Sequence, residues 1–151
     1  LGPLVSAFDY TLIDCPPGLG ILLINALVAA THVLIPVPPR FVDSRGLSSL
    51  LDAIDRVRET FNPGLKILGI LPTMIRRRSR HGDEMREILE EHFGALLIEP
   101  GIPDTVAFWA SSATLSSILT SEPESPGAAA YRAVAKEVIA RAEADGQSRR
   151  R

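Results

Sequence analysis

Short, unbroken apolar runs alternate with longer helical segments along most of this chain, and this alternation limits its possible folds more than any other feature. The runs at residues 10–13, 33–37, 66–71 and 95–98 are predicted strands. Unbroken apolar runs are typical of strands that are covered on both faces, as in a parallel sheet. We therefore expect an α/β fold: a mostly parallel sheet with helices on both faces.

Four helices are predicted between and after these runs. Residues 19–30 are almost all apolar, which predicts a helix that is packed on several sides. The other three have one apolar face, as helices at a sheet surface do. They are expected over residues 44–61, over residues 85–93 with Gly94 as the C-cap, and from Pro126 onward with Ser125 as the N-cap.

Composition and charge are those of an ordinary globular protein. The 151 residues are 46% hydrophobic and 23% charged, which predicts one α/β domain over residues 1–144 and a polar tail over 145–151. A single cysteine and the lack of an apolar stretch long enough to span a bilayer predict a cytoplasmic protein. The net charge of −2 excludes a general attraction to nucleic acid, so any such contact must be local.

Asp14 is the strongest candidate for a catalytic or metal-binding residue, because it directly follows a predicted strand. In parallel sheets, ligands bind beyond the carboxyl ends of the strands. A carboxylate at that edge can hold a hydrated Mg²⁺, while the non-proline N–H groups of the following Pro-Pro-Gly-Leu-Gly turn, residues 16–20, can contact a phosphate. The alternative is that Asp14 only caps the turn, which is common for aspartate.

The segment FDYTLIDCPPGLG, residues 8–20, resembles the Walker B and switch II region of ParA/Soj-type partitioning ATPases, which belong to the MinD-like group of P-loop proteins. The likeness continues in the same order through further segments, at residues 24–27, 33–37, 46–47, 67–74, 102–103 and 130–132. It covers nearly the whole chain, so we regard it as specific.

This resemblance implies an ATPase for chromosome or plasmid partitioning that forms a homodimer around ATP and Mg²⁺. It also implies non-specific DNA binding, a ParB-like activator protein that stimulates hydrolysis, association with the nucleoid and no membrane contact. By position, Asp14 is expected to contact Mg²⁺ through water, and Pro16, Pro17 and Gly18 are expected to form switch II. Thr73, Met74 and Pro103 are expected around the adenine.

Two departures from the family pattern affect these expectations. There is no P-loop and no Gly-Lys dipeptide, so the phosphate cradle is missing from these residues. Together with a first residue other than methionine, this predicts a P-loop NTPase-like fold that is truncated at its N-terminus and inactive by itself. The alternative is a non-catalytic ParA-like scaffold or DNA-binding accessory protein. In addition, Asp104 replaces a family arginine, and Trp109-Ala110-Ser111 stands where a Glu-Ala pair is expected.

A basic cluster, consisting of Arg76, Arg77, Arg78 and Arg80, is the main local source of positive charge. In a ParA-like chain these arginines are predicted to contact the phosphate backbone of DNA. The alternative is a solvated loop whose arginines pair with nearby carboxylates. Two aromatic side chains further along, Phe108 and Trp109, are expected in the core, and the alternative is that they form a patch that binds a partner. A MinD-like membrane cycle is disfavoured because residues 143–151 lack an apolar helix face.

Overall fold

The structure is a computed structural model that describes residues 8–38, 45–76 and 80–148. Two strands and six α-helices lie in these ranges: α1 (Ile21–Ala29), β1 (His32–Val37), α2 (Arg45–Thr60), β2 (Lys66–Pro72), α3 (Arg80–Phe93), α4 (Val106–Ala113), α5 (Ile118–Ser121) and α6 (Pro126–Ser148). The predicted strands at 33–37 and 66–71 and the four predicted helices are therefore present. Helix α3 begins five residues before its predicted start, and α6 continues past residue 145.

The described residues fall into two compact units. We call residues 8–33 and 45–66 the helical unit, and residues 34–38, 67–76 and 80–148 the sheet unit. No helix that the described residues form is both long and apolar enough to cross a membrane.

Strands β1 and β2 pair in parallel. The Lys66 amide donates to the Thr31 carbonyl at 3.0 Å, and the Thr73 amide donates to the Val37 carbonyl at 3.0 Å. Residue numbers rise together along the two strands, which is the register of a parallel ladder. The predicted parallel sheet is therefore confirmed.

The predicted strand at residues 95–98 is shorter than expected. A 3₁₀ turn takes up Gly94–Leu96, and Gly94 has a φ of +44° that suits its predicted place after a helix. What remains is a parallel bridge between Leu97 and Ile70, next to a 2.9 Å hydrogen bond from the Ile98 amide to the Ile70 carbonyl. The chain therefore follows β2 closely without forming a further regular strand.

The core of the sheet unit lies between this edge and α6. It contains Leu71, Ile98, Ile102, Ala130 and Val134, with Leu34, Phe108 and Val138 packed against it. Helix α6 begins as predicted, because the Ser125 hydroxyl accepts a hydrogen bond from the Ala128 amide at 3.2 Å. Burial of this apolar face fixes α6 against the sheet unit.

In the helical unit, the first predicted strand is wrong. Residues 10–13 form neither strand nor helix, and the Leu12 side chain is 91% exposed. A buried strand needs hydrogen-bonding neighbours, and none of the described residues pairs with this run. The expected packing of α1 on several sides is also wrong: Leu27 is its one buried residue, whereas Ile21 is 70% exposed.

Candidate functional site

The predicted magnesium-binding turn connects the irregular segment around residues 10–16 with the first turn of α1. Asp14, Pro16 and Pro17 are all exposed. Gly18 has a φ of +118°, a conformation that side-chain-bearing residues rarely adopt, and no atom lies within 4 Å of the position that a Cβ would take. The backbone conformation, and not crowding, therefore requires glycine at this position.

Helix α1 begins at Ile21, immediately after this turn. Gly20 is the N-cap residue and provides no side-chain cap, while its carbonyl accepts from the Ile24 amide at 3.2 Å. The first N–H groups of a helix have no intrahelical acceptor and carry partial positive charge. The turn thus places the exposed Asp14 carboxylate a few residues before a helix N-terminus.

The donor set around Asp14 restricts the kind of metal contact it can make. Within residues 8–38, 45–76 and 80–148, no three His, Cys, Asp or Glu side chains gather into a possible metal cage. Mg²⁺ usually keeps several waters and takes one or two carboxylates plus phosphate oxygens. An exposed single carboxylate fits this water-mediated contact and does not fit an all-protein cage.

A second candidate region is a cleft of about 500 Å³ in the sheet unit. Its walls are formed by Arg76, Pro103, Asp104, Thr105, Val106, Trp109 and Pro126. Of the three residues expected around the adenine, Pro103 lines this cleft. Thr73 and Met74 do not line it, although they follow β2 in the same unit. Met74 is 56% exposed and has a φ of +54°, which is strained for a side chain of its size.

A backbone ladder builds one wall of the cleft. The Ile75 amide donates to the Ile102 carbonyl at 3.1 Å, and the Asp104 amide donates back to the Ile75 carbonyl at 2.9 Å. This parallel bridge sets Asp104 beside Arg76, whose Nε lies 3.4 Å from the Asp104 Oδ2. The two charged side chains therefore stand together at the cleft.

Helix α4 forms another wall and presents Trp109. The Thr105 hydroxyl accepts from the Ala107 amide at 3.4 Å and caps the helix. Phe108 turns inward and meets Tyr131 edge-on, with ring centroids 5.7 Å apart. Trp109, one position further, is 77% exposed. The expectation that Phe108 packs against the core is confirmed, whereas the same expectation for Trp109 is wrong, because its side chain lies at the surface.

Part of the predicted DNA-binding cluster lies outside the described residues. This applies to Arg77 and Arg78, while Arg80 opens α3 without a described side chain. Arg76 is described and pairs with Asp104, as noted above. The phosphate-contact role of the cluster stays a prediction.

The sequence pattern pointed to the Asp14 turn and to Pro103 but not to the cleft as a whole. The cleft depends on the ladder between Ile75 and residues 102–104, which joins segments far apart in the chain. One feature of the sequence could have indicated the cleft. Asp104 and Trp109 both lie where the sequence departs from the family pattern, and both side chains line the cleft.

Comparison with known proteins supports the family resemblance. Residues 1–67 match a family model described as an AAA domain. An uncharacterized protein of Mycobacterium tuberculosis is 42% identical over 93% of this chain and 44% of its own length. The chromosome-partitioning ATPase Soj of Thermus thermophilus is 38% identical over 90% of this chain and 55% of its own length. The chain spans about half the length of the curated relatives it matches.

Two solved structures share the fold. Cobyrinic acid a,c-diamide synthase from Mycobacterium smegmatis, crystallised with ADP and magnesium, has a TM-score of 0.69 and 33% identity over 87% of this chain and 46% of that chain. The cell division ATPase MinD of Pyrococcus furiosus has a TM-score of 0.66 and 25% identity over 91% of this chain and 54% of that chain. Along nearly all of its own length, this chain is therefore similar to ParA/Soj-type ATPases and shares its fold with the cell division ATPase MinD.

Proposed function

We propose that the protein carrying this chain is a partitioning ATPase that acts on chromosomes or plasmids. The observation that carries this proposal is the 38% identity to Soj and the 35% identity to the ParA of Caulobacter vibrioides, over 90% and 94% of this chain. In this proposal the turn after Asp14 has a magnesium-facing role and, separately, the region around Pro103 has a base-facing role. Hydrolysis of ATP is thus an activity of the whole protein.

Asp14 is the proposed contact to Mg²⁺, through coordinated water. When bound, Mg²⁺ would neutralise charge on the ATP phosphates. The Asp14 carboxylate would accept hydrogen bonds from waters of the metal, and its exposure leaves it accessible for this. Pro16 and Pro17 restrict the backbone of the following turn, and Gly18 redirects it toward the N-terminus of α1. This stiff turn would act as switch II, with helix N–H groups available to a phosphate.

Thr73, Met74 and Pro103 are the proposed surroundings of the adenine. Pro103 supplies an apolar surface in the cleft of the sheet unit. The strained backbone at Met74 supports a functional role for this segment, because such strain persists where function requires it.

The proposal also requires a phosphate-binding loop. The sequence contains no Gly-Lys dipeptide, and in P-loop proteins that lysine contacts the β- and γ-phosphates. The matched part of this chain covers 55% and 53% of the lengths of Soj and of the Caulobacter ParA, and we propose that the loop lies in the remainder of the whole protein. By itself the chain is not expected to hydrolyse ATP.

Four further properties belong to the proposal because of the similarity to ParA and Soj. The protein would form a homodimer when ATP is bound, and the dimer would bind DNA without sequence preference. A ParB-like activator would stimulate hydrolysis and so release the dimer from DNA. The protein would act in the cytoplasm, on the nucleoid.

Replacement of Asp14 in the whole protein tests the proposal. We expect Asp14→Asn to reduce magnesium-dependent ATP hydrolysis by more than about tenfold, because the amide lacks the charge that orients the metal's waters. Glu59→Gln, which changes an exposed carboxylate on α2, is the matched control and should hydrolyse ATP normally. ATP hydrolysis by Asp14→Asn at the rate of the unaltered protein would overturn the assigned role.

The non-catalytic alternative gives a different result in the same assays. A scaffold or accessory protein would bind DNA equally well with and without ATP and would show no magnesium-dependent affinity for ATP. We expect instead that ATP and Mg²⁺ together increase both dimer formation and retention on DNA.

A further inference from the structure

Helix α6 carries more apolar surface than the core of the sheet unit covers. Ala130, Val134 and Val138, spaced four residues apart, form the face that packs against the core. A second apolar line has spacings of four, four and three residues, which put side chains on one side of a helix. We call this line the outer stripe; it consists of Tyr131, Ala135, Ile139 and Ala142.

The outer stripe is only partly covered. Tyr131 is 45% exposed and Ile139 is 41% exposed, and Ala135 is exposed as well. Single apolar side chains at a protein surface are common. These four, however, form one line that extends for about 17 Å, because a helix rises by about 1.5 Å per residue. A helix that is apolar over so wide an arc is typically covered on more than one side.

The outer stripe continues the core of the sheet unit. The Tyr131 ring meets Phe108 edge-on, with centroids 5.7 Å apart, and Phe108 packs against the core. Val138 lies between Ala135 and Ala142 on the helix surface, and it also packs against the core. The apolar surface therefore extends from the core into the stripe, as it does where a further element packs on a domain.

The far side of the outer stripe is charged. Arg132, Lys136 and Glu143 are exposed and follow one another along that side of the helix. They limit the apolar strip to about the 10 Å width of one helix. Large and small side chains alternate along the stripe, and this alternation forms the ridges and grooves into which the side chains of a second helix fit.

The lengths of the relatives indicate what covers the stripe. The match covers 90% of this chain but 55% of Soj, and 93% of this chain but 44% of the Mycobacterium tuberculosis protein. Each of these relatives therefore has a further part of comparable length. A segment of the same polypeptide is present at a high effective concentration, whereas a second copy must bind from solution.

We propose that an amphipathic helix from the rest of the whole protein packs along the outer stripe. The apolar face of this helix lies on Tyr131 and Ile139, and its larger side chains fill the grooves at Ala135 and Ala142. The axes of two helices in such a contact are about 8 to 10 Å apart. The contact belongs to the fold and needs no bound nucleotide, so it is independent of the proposed ATPase activity.

Cysteine accessibility in the whole protein tests this contact. Ala135→Cys places a thiol in the outer stripe, and Ala140→Cys, the matched control, places one at an exposed position outside it. The native protein is treated with a maleimide, and modification of each cysteine is followed by mass spectrometry of its peptide. Because packing limits access, Ala135→Cys should react at least about tenfold more slowly than Ala140→Cys. In urea the two should react at the same rate, and equal rates in the native protein would overturn the proposal.

A photoreactive benzoylphenylalanine in place of Tyr131 identifies the covering segment. We expect cross-links within a single polypeptide, to residues outside this chain. Cross-links to a second copy, or protection at position 135 that increases with protein concentration, would overturn the proposal and assign the stripe to self-association. Protection that requires ATP and Mg²⁺ would also overturn it, because packing within the fold does not depend on nucleotide.

Discussion

The guanidinium of Arg141 donates a hydrogen bond to the carbonyl oxygen of Leu97 at 2.8 Å. The same group donates to the carbonyls of Leu96 and Leu68, each at 3.2 Å, and its Nε pairs with the Glu137 carboxylate at 2.7 Å. One side chain of α6 therefore connects β2 to the segment that follows the 3₁₀ turn. The four contacts use donors of the whole guanidinium fork.

Arg141→Met is expected to lower the free energy of unfolding by about 1 to 3 kcal/mol, because three backbone carbonyls lose a charged donor. Methionine keeps much of the apolar stem, so the loss reports on hydrogen bonds and not on packing. Urea unfolding of the whole protein, followed by circular dichroism, measures the change. Lys136→Met, on an exposed position of α6, is the control and should change stability by less than about 0.5 kcal/mol. Equal stability of the two variants would contradict the prediction.

Gly69 allows the close approach of β2 to the next chain segment. A Cβ at this position would lie 2.6 Å from side-chain carbons of Ile98 and 3.0 Å from the Leu96 carbonyl oxygen. Ile98 is fully buried and has little room to move. We expect Gly69→Ala to destabilise the protein by about 1 to 3 kcal/mol through overpacking.

Gly146→Ala is the matched control for this substitution. Gly146 lies in α6, and nothing lies within 4 Å of the position of its added Cβ. Because alanine favours a helix over glycine by up to about 1 kcal/mol, this variant should be as stable as the unaltered protein or more stable. Thermal melting of both variants distinguishes the two effects, and a Gly69→Ala protein that melts at the unaltered temperature would refute the crowding argument.

Much of the fold follows from local pattern. The apolar runs at β1 and β2 and the one-sided helix α2 were predictable because each encodes its own burial. The run at residues 10–13 has the same apolar character but forms no strand, since a strand also depends on its hydrogen-bonding neighbours. Leu97 forms a single bridge and not a strand, because the residues before it, Gly94–Leu96, form a 3₁₀ turn.

The candidate site was predictable in part. Asp14 and Gly18 are identifiable because a turn after an apolar run has its own residue preferences, and the φ of +118° at Gly18 agrees with that pattern. The cleft was not predictable, because the bridge between Ile75 and Pro103 connects residues that are far apart in the sequence, and a local hydrophobic pattern carries no information about such a contact. Phe108 and Trp109 illustrate the same limit: they are neighbours in sequence, yet one is packed against Tyr131 and the other is exposed.

Asn62 secures the end of α1 within the helical unit. Its side-chain amide nitrogen lies 2.9 Å from the Leu27 carbonyl, 3.2 Å from the Val28 carbonyl and 2.8 Å from the Ala30 carbonyl. Carbonyls at a helix C-terminus have no intrahelical donor, so an outside N–H group satisfies them. We expect Asn62→Ala to lower the free energy of unfolding by about 1 kcal/mol.

Asn62→Asp separates this hydrogen bond from simple loss of side-chain volume. The carboxylate has the same shape but offers only acceptors, and it would face three carbonyl oxygens. At neutral pH this variant should therefore be less stable than Asn62→Ala in urea unfolding of the whole protein. An aspartate variant as stable as the unaltered protein would show that the amide donor is unimportant.

The arginine cluster provides the test of DNA binding. Arg76 pairs with Asp104 and lines the cleft, so replacing it would disturb two features together. The informative variant is the triple replacement of Arg77, Arg78 and Arg80 by alanine in the whole protein, with ATP and Mg²⁺ present. Each phosphate contact contributes about 0.9 to the slope of log affinity against log salt concentration. The triple variant should therefore bind DNA at least about tenfold more weakly and lower that slope by about 2 to 3.

The terminal arginines, Arg149, Arg150 and Arg151, give the matched control, because their replacement by alanine removes the same charge elsewhere in the chain. A general effect of net charge would weaken DNA binding equally in both triple variants, whereas specific phosphate contact by the cluster affects only the first. ATP binding should be unchanged in both, since the cleft and the Asp14 turn keep all their residues. Unchanged DNA affinity at low salt in the cluster variant would identify the cluster as a solvated loop, with its arginines paired to nearby carboxylates.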